Sequence, residues 1–250
     1  QTKSAVSYKN PVVDIAMPDP TVIKAADGYF YVYATESTRN VPIMKSKNLV
    51  QWTYCNTAFT NKTRPRFEPK AGIWAPDINY INNKYVLYYA MSVWGGEQTC
   101  GIGVATADSP QGPFTDHGKM FRSNEIGVQN SIDPSFLQYE GRNYLVWGSF
   151  RGIYVIELTE DGLSLKPGAE KKRIAGTAFE AAYIHKHGDY YYMFASIGSC
   201  CRGVESTYKV VVGRSKKVWG PYKDKSGKPM LKNGYSLVIG ANDHFVGNGH

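Results

Sequence analysis

The chain has 250 residues, with 29 Lys and Arg against 21 Asp and Glu, a formal charge of +8 and an isoelectric point near 9.1. That length suffices for one large domain with its own core, and a composition that is 42% hydrophobic and 20% charged excludes intrinsic disorder. With 25 Gly and 13 Pro the chain is too turn-rich for a bundle or coiled coil, and its 19 Tyr suit half-buried strands, so an all-β fold is expected.

The phrase that organises the chain occurs four times: an acidic residue, a short apolar strand, a polar turn, and a Tyr-rich strand ending in small or hydroxyl residues. It runs first from Asp19 through Val22 and Ile23, over Asp27-Gly28, to Tyr29 through Thr35. The second runs from Asp77 through Ile81, over Asn82-Asn83, to Tyr85 through Ser92; the third from Asp133 through Leu137 to Tyr144 through Ser149. The fourth runs from Glu180 through Ile184, over Gly188-Asp189, to Tyr190 through Ser196. Each reads as a β-hairpin by its turn chemistry. Third strands rich in small residues follow, such as Gly101 to Ala107 and Val210 to Ser215, and Gly112-Pro113 and Gly220-Pro221 mark the next turns. The Gly101-x-Gly103 pair reads as close strand packing, because no helix follows to make a phosphate cradle.

Four-stranded units at this period predict a β-propeller. Counting onward, a fifth unit would begin near Asn248 to His250. The expected fold is therefore a five-bladed propeller with the last blade largely missing from this chain, residues 1–250 forming one catalytic domain. The remaining strands are expected either to be lost or to come from a second chain or fragment.

In a propeller the first strand of each blade starts at the axis, so Asp19, Asp77, Asp133 and Glu180 are expected to converge on one funnel. Like charges around a narrow pocket push pKa values apart, leaving one carboxyl protonated while another is ionised. Glycoside hydrolysis needs that pair of states. For Asp77 a structural role is as well supported as a functional one, since an acid at such a position also bonds nearby backbone amides. Nothing points to nucleic acid: the basic residues are scattered, not gathered in a stripe. No run approaches the roughly 20 apolar residues of a membrane span. Four cysteines, Cys55, Cys100, Cys200 and Cys201, lack zinc spacing and read as buried thiols or one bridge. His185 and His187 read as surface residues of a hairpin. Trp94, beside Gly95-Gly96, reads equally as a cleft-rim aromatic or a packed hairpin tip.

Several segments resemble glycoside hydrolase family 43, and within it the endo-α-1,5-L-arabinanase type. They are Pro18 to Val22, Gly72 to Asp77, Asn130 to Phe136, Trp147 to Phe150, Cys200 to Gly203 with Ser206 to Tyr208, and Gly220 to Tyr222. The resemblance implies a five-bladed propeller acting with inversion of configuration on α-L-arabinofuranosyl linkages, chiefly internal α-1,5 bonds of arabinan from plant cell walls. Asp19 would be the general base, Glu180 the general acid and Asp133 the carboxylate that orients the acid. Trp74 would floor the sugar site, with Asp77, Asn130 and Ser149 also contacting substrate or metal-bound water. Members carry an axial histidine that holds calcium or a similar ion, and His250 in Gly247-Asn-Gly-His is the nearest equivalent. Pro18 stands where many members have His, and Ala181-Ala182 follow Glu180. Exo-acting α-L-arabinofuranosidase or β-xylosidase chemistry and a non-catalytic glycan-binding propeller are the rival readings. A secreted or periplasmic location is expected, and Gln1 at the start fits export after loss of a leader.

Overall fold

The computed structural model describes residues 7–250. Sixteen strands form four antiparallel four-stranded sheets, each a meander of neighbours in sequence. Blade I holds β1 (Thr21–Lys24), β2 (Phe30–Tyr33), β3 (Pro42–Ser46) and β4 (Trp52–Thr57); blade II holds β5 (Gly72–Ile81), β6 (Lys84–Ser92), β7 (Gly101–Ala107) and β8 (Thr115–Arg122). A single helical turn, α1 (Ser123–Ile126), leads to blade III, with β9 (Ser135–Tyr139), β10 (Arg142–Trp147), β11 (Ile153–Glu157) and β12 (Lys172–Ala175). Blade IV holds β13 (Glu180–His187), β14 (Tyr190–Ile197), β15 (Lys209–Ser215) and β16 (Ser236–Ile239). Among the described residues no helix is long and apolar enough to cross a membrane.

The all-β propeller is as expected, but the described residues build four blades, not five. Residues 240–250 form no strand. Their Gly- and Asn-rich composition favours turns over a ladder, and the segment instead returns to the axis, where the His250 N–H donates to Ser196 Oγ at 2.8 Å.

The core lies between the sheets. Tyr31, Tyr33, Ile43, Phe59, Ile73 and Tyr89 pack where blades I and II meet. Val86, Tyr88, Phe121, Leu145 and Trp147 fill the gap between blades II and III. Val146, Phe179, Met193, Val211 and Tyr222 do the same for blades III and IV. Burying a large side chain of this kind stabilises by roughly 1.5–3 kcal/mol, so each interface rather than each sheet is the stable unit, and the inner strands are fixed by it. Gly103 has the close-packing role expected of it, since a Cβ there would strike the Tyr89 ring. Arg64 reaches under the rim of blade I and pairs with Glu36, whose carboxylate also accepts the Ile73 and Asn40 N–H groups. Those donors, with Arg64 foremost among them, outweigh the desolvation of Glu36 and hold its pKa below the usual value.

Candidate active site

The inner strand of every blade is preceded or interrupted by the same kink. Asp19, Ala75, Asp133 and Ala181 all lie in the left-handed region, with φ of 51°, 42°, 57° and 53°. Pairing shifts register between Trp74 and Asp77 in β5 and between Glu180 and Tyr183 in β13. In blades I and III the regular strand starts only two residues after the kink, at Thr21 and Ser135. The extra residue of a β-bulge re-aims the side chains beside it, and left-handed backbone costs a non-glycine residue roughly 1–2 kcal/mol.

Aligned on the kink, the four acids are not equivalent, which corrects the placement expected from the repeat. Asp19 and Asp133 share the kink position with Ala75 and Ala181. Glu180 stands one residue earlier, level with Pro18, Trp74 and Ile132, and Asp77 two residues later, level with Thr21, Ser135 and Tyr183. The offset decides which side of the axis each side chain serves. Pro18, Trp74, Ile132 and Glu180 line a cleft of about 480 Å³ together with Asp19 and Asp133. Thr21, Asp77, Ser135 and Tyr183 line a separate cavity of about 500 Å³ beneath, and Asp133 and His250 border both.

Within the cleft each acid has its own hydrogen-bond setting. Glu180 is 8% exposed; the Ser149 hydroxyl donates to its Oε2 at 2.6 Å and the Tyr208 hydroxyl donates to its Oε1. Asn130 in turn donates from Nδ2 to Ser149 Oγ at 2.9 Å, so Asn130 and Ser149 form a relay ending on Glu180. Asp133 is 6% exposed and receives one N–H, from Ala181 at 3.2 Å. Its pKa is pushed well above the usual carboxylate value by burial first, then by repulsion from Glu180 and Asp19. Asp19 is more open to solvent; Thr35 donates its hydroxyl to Oδ2, and His250 Nδ1 stands 3.4 Å from Oδ1. The Ala75 N–H donates to Thr35 Oγ1 at 2.7 Å, so the kink of blade II orients the group that orients Asp19.

Trp74 forms one wall with Trp94, their rings 5.5 Å apart, and the 77% exposure of Trp94 makes it a rim aromatic rather than a packed hairpin tip. Cys200 and Cys201, bonded to each other, line the cleft as well. Cys55 and Cys100 are free, and Cys100 is buried. His185 and His187 are exposed on β13, as expected. Asp77 is not brought into the cleft: its Oδ2 accepts the Phe136 N–H at 2.8 Å and Asn79 Nδ2 at 2.7 Å, tying blade II to blade III. Burial raises its pKa to about 6 against the lowering effect of those donors.

Thr35 and Tyr208 carry no mark in the sequence beyond a hydroxyl at a strand end, although Tyr208 sits in the Ser206 to Tyr208 segment already singled out. Calcium asks for six to eight oxygen ligands. The described residues contain no cluster of three or more His, Cys, Asp or Glu side chains able to hold a metal, and the imidazole at the axis already leans on Asp19. The side chains present do not by themselves fit a calcium shell.

Residues 8–250 match the family described as glycosyl hydrolases family 43. The chain is 38% identical over 245 residues to the extracellular endo-α-(1→5)-L-arabinanase 1 of Bacillus subtilis, covering 92% of this chain and 75% of that one. It is 35% identical over 260 residues to an extracellular exo-α-(1→5)-L-arabinofuranosidase of Cellvibrio japonicus, covering 93% and 73%. Among solved structures, the α-L-arabinanase of Cellvibrio cellulosa superposes with a TM-score of 0.85 at 33% identity over 94% of this chain and 81% of that one. The same enzyme complexed with arabinohexaose gives 0.84 at 33% identity over 93% and 81%.

Proposed function

The chain belongs to glycosyl hydrolase family 43, and from that premise we propose that it hydrolyses α-L-arabinofuranosyl linkages, chiefly the internal α-1,5 bonds of arabinan, by single displacement with inversion. The observation that carries the reading is the convergence of Asp19, Asp133 and Glu180, from three different blades, on one cleft walled by Trp74 and Trp94. Asp19, the most solvent-open of the three, takes the proton of a water that attacks the anomeric carbon. Glu180 gives its proton to the departing glycosidic oxygen, while Ser149 and Tyr208 fix the direction in which that carboxyl points. Asp133 crowds the other two with negative charge, and the repulsion keeps a proton within the group at neutral pH. Asn130 steadies Ser149, and the indole of Trp74 offers an apolar face to the sugar ring.

The five-blade reading is part of this proposal. Leu237, Val238 and Ile239 of β16 are 59%, 44% and 51% exposed, and an apolar outer strand paired only with β15 is a surface on which a further sheet, from this or a second chain, would pack. Secretion agrees with the extracellular relatives named above.

The exo reading is supported by the similarity to an exo-acting relative. Chromatography of the earliest products from linear α-1,5-arabinan decides: a spread of oligosaccharides is expected, and arabinose alone from the first time point would establish exo action instead. A protein that binds arabinan, releases no reducing ends and is unaltered by Asp19→Ala would be a glycan-binding propeller and not an enzyme.

A further inference from the structure

At the ends of the blades far from Glu180 lies a third cavity, between blades III and IV, of about 510 Å³. The ladder of β13 and β14 places Glu180 opposite Ser196 at one end and His187 opposite Tyr190 at the other. Seven residues of strand put the turn roughly 20 Å from the acid. The cavity is therefore distinct from the cleft.

Its lining combines two kinds of group. Lys172 comes from β12, Lys186 from β13, and Lys216 and Lys217 from the turn after β15. All four are exposed, and none takes part in an ion pair among the described residues. Asp189 is the only carboxylate on the lining, also outside any such pair. Between the lysines stand Tyr139, Tyr191 and Trp219, all half-buried. Trp219 is wedged 4.7 Å from Tyr144 and 6.1 Å from Tyr139, and Tyr139 meets Tyr191 edge-on at 6.2 Å. Lys186 Nζ sits 5.5 Å from the centre of the Tyr191 ring.

We infer that this cavity binds an acidic polysaccharide, a chain of uronic-acid sugars, separately from the hydrolytic cleft. Four cations gathered from three elements around one carboxylate leave a local positive potential that attracts an anionic ligand. Braced aromatic rings offer the apolar surface on which the C–H face of a sugar ring rests. The pocket is open and its lysines are confined to one place, which suits a few carboxylates spaced one per sugar; a nucleic acid would call for a longer basic stripe along a surface. Docking of this kind holds the enzyme on a charged matrix while the cleft works on neutral chains.

The probe is a fluorescently labelled oligogalacturonate, followed by anisotropy in dilute buffer and again in about 0.5 M NaCl, where screening shortens the reach of exposed charges to a few ångströms. Binding is expected at low salt and loss of binding at high salt. A neutral oligosaccharide of equal length is expected not to bind at this site. The double variant Lys186→Gln/Lys217→Gln, altered only at exposed positions, is expected to weaken oligogalacturonate binding at least about tenfold. Its hydrolysis of short arabino-oligosaccharides is expected to stay at the parent rate. Trp219→Leu tests the aromatic contribution and is expected to weaken binding even with every lysine present. Unchanged binding in the lysine variant overturns the inference. So does equal or tighter binding of a DNA duplex of the same charge, which would mark the patch as a plain polycation. Because the parent cleaves arabinan in either case, failure here is distinguishable from failure of the hydrolase reading.

Discussion

Two cavities meet at Asp133, and each contains a buried carboxylate placed by the same kind of kink, yet the acids are put to opposite uses. In the cleft, Glu180 is held by two hydroxyls and faces open volume. In the cavity beneath, Asp77 is held by a backbone N–H and an Asn side chain, and joins one blade to the next. Three positions of strand register separate the two settings once the blades are aligned on the kink. An acid one residue before the kink faces the open cleft, and an acid two residues after it becomes a staple.

The largest effect that would break this comparison is expected from Glu180→Gln. Loss of a general acid removes about 10²- to 10⁴-fold of rate, and the loss should fall on arabinan, whose leaving oxygen needs a proton. An aryl arabinofuranoside with a good leaving group should lose far less, and arabinan affinity should persist. Parallel loss on both substrates would show that Glu180 supports the fold of the cleft and donates no proton.

Asp77→Asn tests the other side. A carboxyl whose folded pKa is raised to about 6 from 3.8 keeps its proton longer in the folded than in the unfolded chain. Stability is therefore lost as pH rises between about 4 and 6, by roughly 3 kcal/mol if this group acts alone. The Asn variant cannot ionise, so its urea-derived stability should be flatter across that window and exceed the parent's at pH 7, with hydrolysis little changed. A variant that is equally stable but inactive would return Asp77 to the site.

Much of this was legible in the residues. Tyr-rich strands beside Asn, Asp and Gly turns marked the four hairpins, and the Gly101 and Gly103 spacing marked a packed third strand. Recurrence of acids marked the axis. The bulges were not legible, because one extra residue in a strand changes no composition and no turn signal, and so Asp77 and Glu180 read as equivalents of Asp19 and Asp133. Thr35 and Tyr208 went unassigned because hydroxyl residues are ordinary strand formers. For the four cysteines the sequence left buried thiols and one bridge both open, and the bridge joins Cys200 to Cys201.

A smaller effect is expected from Tyr208→Phe, which sharpens the account of the cleft. The ring is buried and its packing survives the change, while the hydrogen bond to Glu180 is lost. A hydrogen bond to a carboxyl that gains charge as it gives up its proton is worth roughly 1.5–3 kcal/mol in the transition state. Turnover should fall about tenfold or more with little change in KM, and the alkaline limb of the pH profile should move. An unmoved profile would make Tyr208 a packing residue only.

The smallest effect concerns the kink itself. Ala75 adopts φ of 42° in one of the two blades that have no acid at this position, and its N–H orients Thr35 against Asp19. Glycine relieves the roughly 1–2 kcal/mol strain of a Cβ in left-handed backbone, while its extra freedom in the unfolded chain takes back about 0.5–1 kcal/mol. Ala75→Gly should therefore raise stability by about 0.5 kcal/mol, a shift in Tm of about 1–2 °C for a domain of this size, and leave hydrolysis unchanged because the N–H remains. Ala181→Gly should gain as much stability but lower turnover, since residue 181 is bonded directly to Glu180 and the added backbone freedom loosens that carboxyl, although the N–H to Asp133 remains. Equal turnover in the two variants would mean that the kink serves strand geometry alone, and that the carboxylates of the cleft hold their positions through side-chain hydrogen bonds.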